Sequence, residues 1–295
     1  MPKLRDALSL VKIGIVASNT LTAAAGFVLA CQEAVLRSDR QLLLRGLAAL
    51  PGLALLVAGS CAINNWMDRD LDALMDRTKD RPTARGAIGG PIALGFGAGL
   101  SLAGLGMIAA VSIPAAVAGL AGALVYLLAY SAWAKRRGTW SLAIGGVAGA
   151  VPPLVGWAAA DPRLGAAAWA LFGLLLVWQQ AHVRALALRR EAEYRAAGVP
   201  MAGLGRPRAR LAVIAWAAAT IPFPALALAA RGTLGGPALK GPLPAAACAA
   251  LSLGWALWGL WGLRGRDDPR WADRMFAASL VYLCLVFGIL IAFGL

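Results

Sequence analysis

Asn64-Asn65-Trp66-Met67-Asp68-Arg69-Asp70-Leu71-Asp72, running on to Arg77-Thr78-Lys79-Asp80-Arg81-Pro82, follows directly on an apolar stretch over 41–63. A bilayer core needs about 20 mostly apolar residues to span it. Ionisable groups at that depth usually serve function. Asn64, Asp68 and Asp72 are each four residues apart. On a helix each such step drifts by only about 40°. One amide and two carboxylates therefore line a single stripe, and Asp70 points elsewhere. Two carboxylates one turn apart repel unless a cation lies between them. Hard oxygen ligands suit Mg²⁺, which takes one or two carboxylates together with substrate phosphates. Arg77, Lys79 and Arg81 follow, suited to the outer oxygens of a diphosphate. The bland alternative for the whole stretch is a solvated polar helix end.

Outward from this motif, apolar segments of spanning length recur at about 11–31, 41–63, 88–109, 112–134, 140–160, 164–184, 210–230, 243–263 and 275–295. The chain is 60% hydrophobic and 14% charged, with a mean hydropathy of +0.70. Soluble domains are about 45–50% apolar and about 25% charged. One polytopic membrane domain over 1–295, all-α, with about nine spans, accounts for these figures. The net charge of +14 has a topological explanation. With the N-terminus cytoplasmic, 22 of the 28 Lys and Arg residues fall in inner segments and 6 in outer ones, as the positive-inside rule requires. Nucleic acid is thereby excluded as the reason for the charge. Eleven of the 14 acids lie on the same inner side, which that rule leaves unexplained. Lys3 and Arg5 precede the first apolar stretch with no small-residue cleavage site after it, so it reads as a retained helix. Cys31, Cys61, Cys248 and Cys284 lie in or beside apolar segments without metal-ligand spacing, and read as buried membrane cysteines.

The Asn64–Pro82 stretch closely resembles the motif NNxxDRDxDxxMxRTxxRP of the UbiA superfamily of intramembrane prenyltransferases. Three further stretches are similar to its protohaem IX farnesyltransferase (haem O synthase) branch: Tyr130–Trp157, Trp178–Met201 and Asp267–Phe276. The resemblance runs nearly end to end. It implies a nine-span bundle around a central cavity in a bacterial inner membrane. It implies Mg²⁺, farnesyl diphosphate as donor and haem B as acceptor, with a haem A synthase or terminal-oxidase assembly proteins as partners. Composition and spacing alone do not give haem. The chain departs from the usual pattern at Ala181, where Pro is usual, and at Glu193, where Asp is usual. It departs again at Ala202–Gly205 and at Lys12-Ile13-Gly14, where Lys-Pro-Gly is usual.

Carried over residue by residue, the metal set is Asn64, Asp68, Asp72 and Glu193, the first three being catalytic. The substrate-binding set is Arg77, Lys79, Arg81, Lys135, Arg136, His182, Arg189 and Tyr194. Several keep a second reading. His182, the only histidine, can ligate haem iron, hold a propionate or donate a proton, or it is a packed interfacial histidine. Glu191 and Glu193 form a second metal and diphosphate wall or a solvated loop. Lys135-Arg136-Arg137 grips phosphate or anchors topology. Gly145, Gly146, Gly149, Pro152 and Pro153 make room for a flat ring and a prenyl tail, or simply pack helices. Asp267, Asp268 and Asp273 read as a solvated inner loop. The expected reaction is metal-assisted ionisation of an allylic diphosphate, followed by attack of the acceptor. Its rivals are prenylation of a quinone-type or other aromatic acceptor, and a catalytically silent haem- or lipid-binding relative.

Overall fold

The computed structural model describes residues 4–31, 40–199, 205–232, 242–264 and 270–294. Among them, nine helices are long and apolar enough to cross a membrane. In order they are Ile13–Cys31, Arg40–Met67, Gly90–Val111, Ile113–Ala134, Ser141–Ala160, Ala166–Arg189, Arg206–Ala230, Leu243–Trp261 and Trp271–Phe293, called spans 1 to 9 below. No strand occurs among the described residues. The chain is an all-α, multi-pass integral membrane bundle, as the apolar pattern predicts. Several expected boundaries move by a few residues, and two of the shifts bear on the site. Span 2 runs on to Met67 and span 6 to Arg189, so Asn64 and His182 lie inside helices and not at their ends. Lys240, Asp267 and Asp268 lie outside the described residues.

The outer surface is what lipid requires. Leu21, Leu47 and Leu102 are 70%, 71% and 70% exposed, and only an apolar solvent tolerates many such side chains together. Inside, helices approach through small residues. A Cβ on Gly59 would run into the carbonyl of Gly97, and one on Gly156 into that of Ala23. These contacts lock span 2 to span 3 and span 1 to the second half of span 5. In that second half, residues Pro152 through Ala159 are all buried.

Two irregularities aim side chains inward. The second half of span 4, Val125–Ala134, is a π-helix. The Lys135 amide bonds back to Tyr130 O at 2.9 Å, and Ser131 Oγ donates to Tyr126 O at 2.8 Å. Such wide turns are rare and concentrate at functional sites. Here the wide turn puts Tyr126, Tyr130 and Lys135 on one cavity wall. The second irregularity is Lys12, between the short helix Leu4–Val11 and span 1. Its φ of +51° is a left-handed conformation costing an L-residue about 1–2 kcal/mol. That turn points its ammonium at Asn64.

Candidate active site

The polar stripe forms because the helical hydrogen-bond ladder continues through the motif. Asp68 N bonds to Asn64 O at 2.9 Å and Asp72 N to Asp68 O at 2.8 Å. The three residues are 1%, 2% and 2% exposed. The loop beyond is tied back onto the same helix end. Thr78 Oγ1 donates to Asp72 O at 3.0 Å, and Thr83 Oγ1 to Asn65 O at 2.9 Å.

Each buried acidic group has a cation. Lys135 Nζ lies 2.5 Å from Asp68 Oδ2, which also accepts from Asn64 Nδ2 at 2.9 Å. Arg81 Nη1 lies 2.7 Å from Asp72 Oδ2. Lys12 Nζ donates to Asn64 Oδ1 at 2.5 Å, and Asn64 Nδ2 donates to Ser131 Oγ at 2.9 Å. Burial pulls the Lys12 ammonium down to about 8. The second oxygen of Asp68, Oδ1, is buried without a hydrogen-bond partner among the described residues. A carboxylate oxygen left bare in such surroundings costs free energy, and a cation is the natural group to satisfy it.

These groups line a cavity of about 500 Å³, within the range that holds a small ligand. Asn64, Asp68, Asp72, Arg77, Arg81, Lys135, His182 and Tyr194 all line it. Its walls climb along span 2 past Leu56 to Leu53, 11 residues before Asn64, a rise of about 16 Å. Gly149 and Pro152 also line it. A Cβ on Gly149 would collide with the Gln179 amide. The glycine therefore gives both helix packing and cavity room.

Four residues of the sequence-derived set sit elsewhere. Lys79 does not line the cavity; its ammonium pairs with Asp76 at 2.7 Å on an exposed turn. Arg136 turns to the surface and takes both oxygens of Asp70, at 2.6 and 2.7 Å. Those hydrogen bonds hold the Asp70 carboxyl down at about 2. Arg189 pairs with Asp273 at 2.5 Å and packs over the Phe276 ring. Asp273 thus opens span 9 with a partner and is not a loop residue. Glu193 stands behind the cavity, with Arg190 at 2.8 Å and Arg77 at 3.5 Å. Among the described residues no group of three His, Cys, Asp or Glu is poised to hold a metal; the acidic pair Asp68 and Asp72 stands with an amide alone.

Sequence reasoning passed over Lys12, Ser131, Tyr126 and Gln179, all brought to this site by the fold. Lys12 reads from sequence as a topological charge and as the lysine of an altered Lys-Pro-Gly, not as a site residue; its place at the start of an apolar span is the available signal. Ser131 lies inside one of the resemblance stretches, but its partner Asn64 is 67 residues away.

The fold and site define a membrane helical bundle with buried carboxylates and their cations lining a largely apolar cavity. The profile of the UbiA prenyltransferase family matches residues 19–281. The chain belongs to that family and is a prenyltransferase. It is 41% identical over 286 residues to protoheme IX farnesyltransferase 2 of Bacillus subtilis (strain 168), covering 96% of this chain and 90% of that one. It is 38% identical over 294 residues to protoheme IX farnesyltransferase of Bacillus cereus (strain B4264), covering 97% and 90%. Among solved structures, a digeranylgeranylglyceryl phosphate synthase superposes with a TM-score of 0.76 at 16% identity, covering 100% of this chain and 99% of that one. A UbiA homolog from Archaeoglobus fulgidus bound to GPP and Mg²⁺ superposes with a TM-score of 0.64 at 16% identity, covering 96% and 99%. At such identities the structural likeness shows the fold alone.

Proposed function

We propose that this chain transfers the farnesyl group of farnesyl diphosphate to a vinyl group of protohaem IX (haem B), giving haem O. The observation that carries the reading is one cavity lined both by a buried acidic pair with its cations and by His182 and apolar walls. The acceptor is taken from relatives about 40% identical over nearly the whole chain, which are named protoheme IX farnesyltransferases.

Asn64, Asp68 and Asp72 would hold Mg²⁺, and the bare Oδ1 of Asp68 fits that assignment. The metal would neutralise the diphosphate and ease its departure. Arg77, Arg81 and Lys135 line the same cavity and donate to diphosphate oxygens. Glu193, expected as a fourth metal ligand, stays in that proposed set: its Oε2 is buried without a hydrogen-bond partner among the described residues, with Arg77 3.5 Å away. With charge stabilised there, the C1–O bond of the donor breaks and the electron pair leaves with diphosphate. Apolar walls keep water from the allylic cation. The terminal vinyl carbon bonds to C1, the neighbouring carbon takes hydroxide from a water molecule, and one proton is released.

The same reading makes residues 1–295 one domain in a bacterial inner membrane, with the N-terminus cytoplasmic. A haem A synthase or terminal-oxidase assembly proteins would receive the product. The test is to incubate purified protein with farnesyl diphosphate, haem B and Mg²⁺ and analyse the haem by mass spectrometry. Haem O is expected. Unchanged haem alongside prenylation of an added aromatic acceptor would shift the assignment to that acceptor class.

A further inference from the structure

His182 is held more firmly than a packed histidine requires. Its ring lies between Trp178 and Phe276, with centroids 4.6 Å away on each side. Its Nδ1 is 2.7 Å from Ser279 Oγ, on span 9. The Trp178 indole N–H donates to the backbone carbonyl of the same Ser279 at 2.8 Å, so spans 6 and 9 are joined twice at this level.

Proton accounting then fixes the imidazole. Ser279 Oγ is 2.5 Å from the Phe276 carbonyl oxygen. Two oxygens that close repel unless a hydrogen lies between them, and a carbonyl has none to give. The single hydroxyl proton of Ser279 is therefore committed to Phe276. Towards His182 the hydroxyl can only accept, so Nδ1 carries the ring proton. Nε2 is left with a bare lone pair and, among the described residues, makes no hydrogen bond. His182 lines the cavity.

We propose that Ser279 is a positioning residue that locks His182 in the Nδ1–H tautomer, so that Nε2 ligates the iron of the porphyrin acceptor. The proposal rests on the haem reading above and narrows it. A haem propionate needs a donor, which neutral Nε2 is not; a metal ion needs the lone pair it has. A hydrogen bond from the far ring nitrogen orients a ligating imidazole and raises its basicity. The Trp178 and Phe276 rings fix its plane, and the plane of a ligating imidazole sets the angle at which a flat macrocycle can approach. Ligation would thus hold the vinyl edge at a fixed place in the cavity that Asp68 and Asp72 also line.

Resonance Raman spectra of ferrous haem added to the purified protein test this directly. Wild type should show an iron–histidine stretching band. His182→Ala should lose it. Ser279→Ala should shift it to lower frequency and weaken haem binding by about tenfold, and Ser279→Thr, which keeps the hydroxyl, should restore both. Farnesyl diphosphate binding, titrated in parallel, reports whether each variant is folded. Metal-free protoporphyrin IX should bind wild type and His182→Ala alike, having no iron to ligate. A band that survives in His182→Ala, a Ser279→Ala band identical to wild type, or equal loss of metal-free porphyrin would overturn the proposal. Haem O formation by a wild type that shows no band would overturn it and leave the reaction standing. A band without haem O would support it and count against the reaction.

Discussion

Replacing Asp68 by Asn removes one negative charge from the cavity wall and almost no volume. The local hydrogen bonds survive. An asparagine can set its oxygen where Oδ2 stood, still accepting from Lys135 and Asn64, and its NH₂ where Oδ1 stood without a partner. What is lost is charge, in two places. Lys135, only 13% exposed, becomes a largely buried cation without its counter-ion. Removing one partner of a buried pair typically costs about 3–5 kcal/mol, and partial exposure brings the expected loss below that range. The proposed metal site loses an anionic ligand as well. A preorganised electrostatic contact to a developing charge is worth about 10²–10³ in kcat, so turnover should fall by at least that factor. The two effects separate in the double variant Asp68→Asn/Lys135→Met, which removes the stranded cation while keeping side-chain length. Thermal unfolding in detergent should recover toward wild type in the double variant, and prenyl transfer at saturating Mg²⁺ and donor should not. Wild-type turnover in Asp68→Asn, or recovered turnover in the double variant, would refute the metal role and reduce Asp68 to a counter-ion for Lys135.

Other consequences can be checked in parallel. Reporter fusions after residue 138 and after residue 295 should report opposite sides of the membrane, with the N-terminal side cytoplasmic; the same side for both would contradict nine spans. Arg81→Ala strands Asp72 and should cost more than a hundredfold in kcat/KM. Arg136→Ala breaks only the exposed pair with Asp70, worth about 0–1 kcal/mol, and should cost less than tenfold; the reverse order would place the diphosphate on the other side of span 4. Because Arg136 lowers the Asp70 pKa to about 2, that pair's stabilisation is present above the ordinary carboxylate value of about 3.9. It is lost as pH falls through about 2. Asp70→Asn should flatten this part of the acid limb of thermal stability, and an unchanged limb would show that the pair contributes nothing.

The sequence alone determined what depends on near neighbours. Whether a segment spans a bilayer is set by some 20 consecutive residues, so nine spans were legible to within a few positions. The stripe of Asn64, Asp68 and Asp72, and the outward turn of Asp70, follow from the helical period, which is also local. Where spans 2 and 6 stop was not legible, because the end of a helix through polar residues depends on tertiary contacts that bury them, as Asn65 is buried against Leu10. Tertiary structure alone decided which cation serves which acid. From sequence, Lys79, Arg81, Lys135 and Arg136 were equivalent donors. In the fold, Arg81 goes to Asp72, Lys135 to Asp68, Arg136 to Asp70, and Lys79 to solvent-exposed Asp76. The choice depends on the π-turn in span 4 and on helix spacing set by glycines such as Gly59 and Gly156. Ser279 meets His182 across 97 residues, where neither hydropathy nor periodicity carries any signal. Such partnerships arise only when helices distant in the chain are packed side by side.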